Sequence, residues 1–371
     1  MIRVLIVDDS AFMRKAIEII LVKDPEIEIV GKASNGLEAL ELVEKLDPDV
    51  ITMDVEMPRM DGITAVGRIM STRPKPILMI SSITTAGAET TLRAMEAGAV
   101  DFISKPASRV SLDIINLECE IQTKVKAVAR RRPPLLWAPR PVPGVTGSPA
   151  LATGVKASPS SVSAEKPHIV SRPIGRQVRD LVSIGVSTGG PPAVQKVLSA
   201  LPKDFPAPIV IAQHMPAAFT GPFARRLDGN CQISVKEVES GERLQNGCAY
   251  VAPGGRHIRV EAKLSTMTVY VTDDPKEALY KPSANVLHES VGNALGARAL
   301  GVQMTGMGND GLEGIRVLKA KGGMAFAQSD ATCVVYGMPK AIVDAGLADA
   351  IVDVDDIASA IINGLYKLSY K

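Results

Sequence analysis

Cysteine is scarce in this chain of 371 residues: Cys119, Cys231, Cys248 and Cys333 are the only four, and no two form a CxxC pair. Such scattered thiols suit a reduced, cytoplasmic protein better than a disulfide frame or a zinc site. Neither sign of charge is in excess, because 42 Lys and Arg meet 40 Asp and Glu for a net charge of +2. That balance argues against a dedicated nucleic-acid binder, which carries a basic surplus or patch. No apolar run reaches the roughly 18 residues of a membrane span. Acids at Asp8 and Asp9 come too early for a signal peptide. Aromatics are only 4% of a chain that is 46% hydrophobic, so any core is built on Val, Ile, Leu and Ala. A soluble, monomeric, cytoplasmic protein without membrane insertion is the expectation.

What is present divides the chain into two α/β blocks. From Arg130 to Arg176 there are nine prolines and one acid, Glu165, with no hydrophobic periodicity. Such a stretch cannot bury enough apolar surface to offset its chain entropy and reads as a linker, placed at 126–178. Residues 1–125 alternate apolar runs (Val4 to Val7, Ile27 to Val30, Val50 to Met53, Ile77 to Ile80, Val100 to Ile103) with amphipathic segments. Helices are expected from Ser10, Leu37, Asp61, near Ala88 and near Ser108. Five βα units of this size predict a doubly wound parallel sheet. Residues 179–371 resume the pattern at Leu181 to Gly185, Ile209 to Ala212 and Leu300 to Met304. A β-rich middle over Gln232 to Thr272 predicts some antiparallel strands within a mostly parallel α/β domain.

Ligands of open parallel sheets lie beyond the carboxyl ends of the strands. In the first block those ends carry Asp8 and Asp9, then Asp54, then Ser81 (with Ser82 adjacent), then Lys105 before Pro106. Clustered acids repel and require a cation, and an oxygen-only donor set points to Mg²⁺. Asp54 then becomes a carboxylate able to attack phosphorus while the cation and Lys105 neutralise the transferred oxygens. A single Asp or Lys at a strand end is usually a cap or a solvated group; the full set is far more specific.

In the second block Gly185-Val186-Ser187-Thr188-Gly189-Gly190 follows a strand and opens a helix at Pro191. Three readings compete. Ser187 could simply cap the helix. A dinucleotide loop needs an acid at the end of the next strand, but that strand ends Ala212-Gln213-His214-Met215-Pro216. The lysine of a nucleotide phosphate loop is also missing. The third reading is a serine nucleophile with His214 as base and Asp310, in Thr305-Gly306-Met307-Gly308-Asn309-Asp310-Gly311, as the orienting acid. Three such residues at three strand ends favour this reading over the cap. The Met307 N–H, just ahead of a helix, is a candidate oxyanion donor. The order Ser, His, Asp differs from that of α/β-hydrolases.

Residues 1–125 resemble the receiver domain of bacterial response regulators, through Val7-Asp8-Asp9-Ser10, Met53-Asp54-Val55-Glu56-Met57-Pro58, Met60-Asp61-Gly62 and Ser104-Lys105-Pro106. The resemblance implies Asp54 as phosphoacceptor, Mg²⁺ on Asp8, Asp9, Asp54 and the Glu56 carbonyl, and Phe102 as the switch aromatic. Gly-x-Ser-Thr-Gly-Gly, Ala-Gln-His-Met-Pro, Ala-Pro-Gly-Gly-x-His and Thr-Gly-Met-Gly-x-Asp-Gly behind such a domain resemble the chemotaxis protein-glutamate methylesterase/glutaminase family. By that resemblance Ser187, His214 and Asp310 form the triad, and Met307 and Thr188 contribute to the oxyanion site. The reaction would remove methyl esters from receptor glutamates, releasing methanol, and deamidate receptor glutamines, with no metal in that half. Methyl-accepting chemotaxis receptors would be the substrates and a histidine kinase the phosphodonor. Receptor deamidation with little esterase activity, or a non-catalytic output domain, are the rival readings. Val186, Asn285 and His288 depart from the family pattern. His257 suits a structural or substrate-contact role, and His168 falls in the linker.

Overall fold

The computed structural model describes residues 1–82, 84–105, 111–129, 175–264 and 266–368, and all counts below refer to these. The expected linker, including His168, lies almost wholly outside the described residues, as do Pro106 and the Cys119 side chain.

The first unit contains β1 (Ile2–Val7), α1 (Ala11–Leu21), β2 (Ile27–Ala33), α2 (Gly36–Leu46) and β3 (Val50–Asp54). It continues with α3 (Gly62–Thr72), β4 (Ile77–Ser82), α4 (Thr85–Glu96), β5 (Asp101–Lys105) and α5 (Ser111–Ala129). The strands form one parallel sheet in the order β2-β1-β3-β4-β5. Alternate strand residues face opposite layers, as a two-residue period requires. Leu5, Val7, Ile51 and Met53 pack with Val43, Val66 and Ile69. Val4, Ile6, Val50 and Ile80 pack on the other side with Ile17, Leu21, Ile121 and Val125.

Local sequence starts most of these helices. The Ser10 hydroxyl accepts from Met13 N at 3.4 Å and Asp61 accepts from Thr64 N at 2.7 Å, satisfying N–H groups that lack helical partners. Helix α4 begins before the expected Ala88, because Thr84 caps it by accepting from Gly87 N at 3.0 Å. Helix α5 runs to Ala129, past the expected edge at 125.

The second unit contains β6 (Gly175–Gln177), β7 (Leu181–Val186), α6 (Gly190–Ser199), β8 (Ile209–Gln213), α7 (Ala217–Asn230), β9 (Ser234–Glu237), β10 (Glu242–Arg243) and β11 (Cys248–Val251). Then come β12 (His257–Lys263), β13 (Thr266–Thr272), α8 (Ala284–Leu295), β14 (Ala299–Gln303), α9 (Leu312–Ala320) and β15 (Met324–Gln328). It closes with α10 (Met338–Asp344), β16 (Ala350–Val352), α11 (Ile357–Leu365) and β17 (Tyr366–Leu368). Seven strands form a parallel sheet in the order β16-β15-β14-β7-β8-β11-β9. The expected antiparallel middle is divided: β10, β13 and β12 form a separate antiparallel sheet, whereas β9 and β11 join the main parallel one. β6 pairs antiparallel with β17, so residues ahead of the expected boundary at 179 belong to this unit, from Gly175 among those described.

Val182, Ile184, Ile209 and Ile211 pack with Val194, Phe219, Phe223 and Ile361. Leu181, Val210 and Ala212 face Leu287, Val291 and the β12–β13 hairpin. The chain leaves β7 towards β8 on one side and later returns to β14 on the other. The strand order therefore reverses at β7, which creates the crevice where open α/β sheets bind ligands.

Candidate active site and phosphoacceptor site

The crevice at β7 collects the three residues of the expected triad. Ser187 immediately follows β7, in a turn whose N–H donates to Thr305 O at 2.9 Å and whose carbonyl accepts from Gly190 N at 2.8 Å. Pro191 and Pro192 occupy the first turn of α6, where a missing N–H costs nothing. Gly306 must lack a side chain here: a Cβ would stand 2.8 Å from Ser187 Cβ and 2.3 Å from Met338 Sδ.

His214 follows β8, one strand over, and its N–H continues the ladder by donating to Val186 O at 3.1 Å. Its Nε2–H donates to Asp310 Oδ2 at 2.8 Å, while the buried Nδ1 has no hydrogen-bond partner among the described residues. In the neutral ring Nδ1 is therefore the nitrogen without a proton. The Tyr280 ring stacks on the imidazole at 4.3 Å and 11°.

Asp310 lies at the N-terminus of α8. It accepts from Ser283 Oγ at 2.8 Å, Ala284 N at 2.6 Å and Asn285 N at 3.0 Å besides His214. Burial pushes its carboxyl up, but His214 and the N–H groups of Asn285 and Ala284 outweigh burial and hold it below the usual carboxylate range. Half-buried Met307 sits between Gly306 and Gly308 at the same rim, and buried Thr188 receives a hydrogen bond from Thr305 Oγ1 on its carbonyl at 2.9 Å.

The other two described histidines, His257 and His288, are structural. His257 is fully buried; its Nε2–H donates to Pro275 O at 3.3 Å and its Nδ1 accepts from Ser283 N at 3.1 Å. That removes it as a substrate contact and makes it a support of Ser283, which in turn holds Asp310. His288 Nδ1 shares a 2.8 Å hydrogen bond with Ser183 Oγ, and burial lowers its pKa to about 4. Tyr280 and the Gln213 carboxamide are site residues that motif reading passed over. Gln213 carried a signal, a polar residue ending a buried strand beside the base; Tyr280, on a connecting loop, carried none.

At the receiver end, Asp8, Asp9 and Asp54 offer carboxylate oxygens all within 4.8 Å of one another. Lys105 Nζ lies 2.7 Å from Asp54 Oδ2 and 3.1 Å from Asp8 Oδ2. Burial pushes the Asp54 carboxyl up to about 6; Lys105 opposes this and Asp8 adds to it. Burial works against the Lys105 ammonium too, but Asp54 and Asp8 outweigh it and raise its pKa. Three crowded oxygens and one ammonium leave negative charge to be met, so this donor set fits a hard divalent cation such as Mg²⁺. The Ser81 hydroxyl bonds with Thr91 Oγ1 and with Gly87 O, and makes no hydrogen bond to Asp54 among the described residues. Phe102 is buried, and its carbonyl accepts from Lys124 Nζ at 2.6 Å.

Residues 182–361 match the CheB methylesterase family model, and residues 4–115 match the response regulator receiver domain. A protein-glutamate methylesterase/protein-glutamine glutaminase 2 of Nitratidesulfovibrio vulgaris is 63% identical over 369 residues, covering 99% of this chain and 100% of that protein. This chain belongs to the CheB methylesterase family. The corresponding protein 1 of Oleidesulfovibrio alaskensis is 61% identical, over 99% of this chain and 100% of its own length. The crystal structure of the Thermotoga maritima CheB methylesterase catalytic domain is 36% identical, covers 50% of this chain and 98% of that one, and gives a TM-score of 0.49. As in the family, the receiver precedes the esterase domain, with described structure ending at Ala129 and resuming at Gly175. No described helix is long and apolar enough to cross a membrane.

Proposed function

We propose that this chain hydrolyses γ-glutamyl methyl esters of chemotaxis receptors, and deamidates receptor glutamines, through a Ser187–His214–Asp310 triad governed by phosphorylation of Asp54. The observation that carries the reading is the orientation of His214. Its Nε2–H is held by a carboxylate of lowered pKa, and its other nitrogen is left without a partner among the described residues.

Ser187 Oγ attacks the ester carbonyl as its proton passes to His214 Nδ1, and Asp310 stabilises the imidazolium. The N–H groups of Met307 and Thr188 receive the developing oxyanion; the first stands just ahead of α9 and the second ahead of α6, where helix dipoles favour negative charge. The imidazolium returns its proton to the departing methoxide, so methanol leaves a glutamyl-Ser187 ester. Water, deprotonated by the same nitrogen, then releases the glutamate. With glutamine the leaving group is ammonia. These steps use only side chains and backbone amides.

In the receiver, Asp54 accepts the phosphoryl group from a histidine kinase. Asp8, Asp9, Asp54 and the Glu56 carbonyl would hold Mg²⁺, which neutralises phosphoryl charge when bound. Lys105 orients the Asp54 carboxylate, and Ser81 reaches the phosphoryl group by exchanging its Thr91 partner. The reaction belongs to the cytoplasm, where receptor signalling helices are accessible.

Methanol release from radiolabelled, methylated receptor membranes tests the reading. It should require Ser187, since Ser187→Ala removes the nucleophile, and it should rise with acetyl phosphate and Mg²⁺. Folded protein that releases no methanol but frees ammonia would leave only the deamidase activity. Release unaffected by Ser187→Ala would remove the triad.

A further inference from the structure

The parallel ladder between β7 and β8 runs out where the chemistry begins. Its last paired residues are Val186 and Gln213. Beyond them the chain at Ser187 turns into α6 and the chain at His214 turns towards α7, so no further main-chain rung joins the nucleophile to the base. A side chain supplies one. The Gln213 carboxamide, 2% exposed, donates one N–H to Ser187 O at 3.0 Å and the other to His214 O at 3.1 Å.

We propose that Gln213 is a positioning residue of the triad reaction, and that its carboxamide sets the distance between the Ser187 and His214 backbones. The inference rests on the triad reading given above.

Three features argue for it. First, the two N–H donors on the amide nitrogen let one uncharged side chain bond both carbonyls at once. A hydroxyl has one donor and a carboxylate none. Second, the bonds complete the fixation of both residues. Ser187 is held at its N–H by Thr305 O, and His214 at its N–H by Val186 O. Gln213 donates to the carbonyl of His214 and shares that of Ser187 with Gly190. Third, the amide is accommodated at a cost a purely structural residue would avoid. Its Oε1 is buried without a hydrogen-bond partner among the described residues, and it presses on Gly190, where a Cβ would come within 2.1 Å. An unsatisfied buried acceptor costs about 1–3 kcal/mol, which an apolar side chain of the same length would not incur.

The consequence is kinetic. Reacting atoms misplaced by about 1 Å can lose on the order of 100-fold in rate. Loss of the Gln213 rung should therefore lower kcat while leaving receptor binding alone. The test compares the full-length protein, activated with acetyl phosphate and Mg²⁺, with Gln213→Met and Gln213→Glu on methylated receptor membranes. Methionine keeps the length without donors. Glutamate keeps the shape but turns oxygens towards both carbonyls. A fall in kcat of about 10- to 100-fold in both, with KM within about twofold and the melting transition retained, is the expected result. If one variant fails to fold, the other decides. A kcat within twofold of wild type in a folded variant, a rise in KM alone, or a loss that only tracks the folded fraction would overturn the proposal. Ser187→Ala is measured alongside. Inactive Ser187→Ala with fully active Gln213 variants rejects only the positioning role, whereas active Ser187→Ala rejects the triad reading and this inference with it.

Discussion

Asp310, just ahead of α9, accepts N–H groups at the start of α8, and Asn285, in the first turn of α8, accepts N–H groups at the start of α9. The Asp310 carboxylate accepts the N–H groups of Ala284 and Asn285 in the first turn of α8. Asn285 Oδ1 accepts those of Gly311 and Gly314 at the start of α9, at 2.9 and 3.0 Å. Asp310 is thus clamped between two helix N-termini, which keeps it ionised and points Oδ2 at His214. Asn285 departs from the acid expected of the family, and a neutral amide here avoids placing a second carboxylate against Asp310.

Asp310→Asn should lower the methanol-release rate on the order of 10⁴-fold, because an amide favours the wrong imidazole tautomer. Asn285→Ala should act more gently, costing about 1 kcal/mol as a lost cap. Thermal unfolding and kcat measured on both variants separate the electrostatic role from the capping role.

Asp54 makes a pH prediction. Its carboxyl is raised from 3.8 to about 6, chiefly by burial, so the charged form is disfavoured in the folded receiver. The sign follows: the cost to stability is absent below 3.8, grows as pH rises towards about 6, and is complete above it. Two pKa units correspond to at most about 3 kcal/mol. Asp54→Asn should therefore raise the receiver melting temperature at pH 7.5 by several degrees and have little effect at pH 3.5. Mg²⁺ should stabilise the wild type at neutral pH far more than the variant. Calorimetry at the two pH values, with and without Mg²⁺, checks both.

The receiver touches the esterase unit through charged and aromatic contacts beside the site. Phe102 stacks on Phe219 at 4.3 Å and 12°, and Arg226 pairs with Glu96. Phe219 and Arg226 lie on α7, which begins three residues after His214. Glu96→Arg should weaken this docking and raise unphosphorylated activity about two- to fivefold, the range for a part-exposed ion pair. Adding Arg226→Glu should restore the low basal rate. Basal methanol release of the single and double variants measures the coupling.

The Tyr280 stack on His214 should steady the imidazolium formed during reaction. Tyr280→Phe should keep kcat within about twofold, and Tyr280→Ala should lower it about three- to tenfold, the scale of an aromatic contact. The hydroxyl is then dispensable and the ring is not, which a kcat comparison of the two variants reads directly.

Much of this protein was legible in its residues. Strand and helix periodicities, caps such as Ser10 and Asp61, and the polar residues ending apolar runs located two parallel sheets and their ligand edges. Those signals are local, because side-chain alternation and helix capping depend on neighbours within a few residues. For the same reason the order of the Ser187, His214 and Asp310 strand ends could be read before any contact was known.

Tertiary structure decided what local signals cannot carry. Whether Gln232 to Thr272 formed one sheet or two depended on which edge each strand could pair with, and β9 and β11 paired with the main sheet. Which imidazole nitrogen of His214 faces Asp310 depended on the entry of α8, more than 60 residues beyond the histidine in sequence. The Tyr280 stack, the Asn285 clamp, the turning of Ser81 towards Thr91 and the bridging amide of Gln213 all arise from segments brought together only by the closed fold. Residue types specified the chemistry available; packing of distant segments specified which atoms meet.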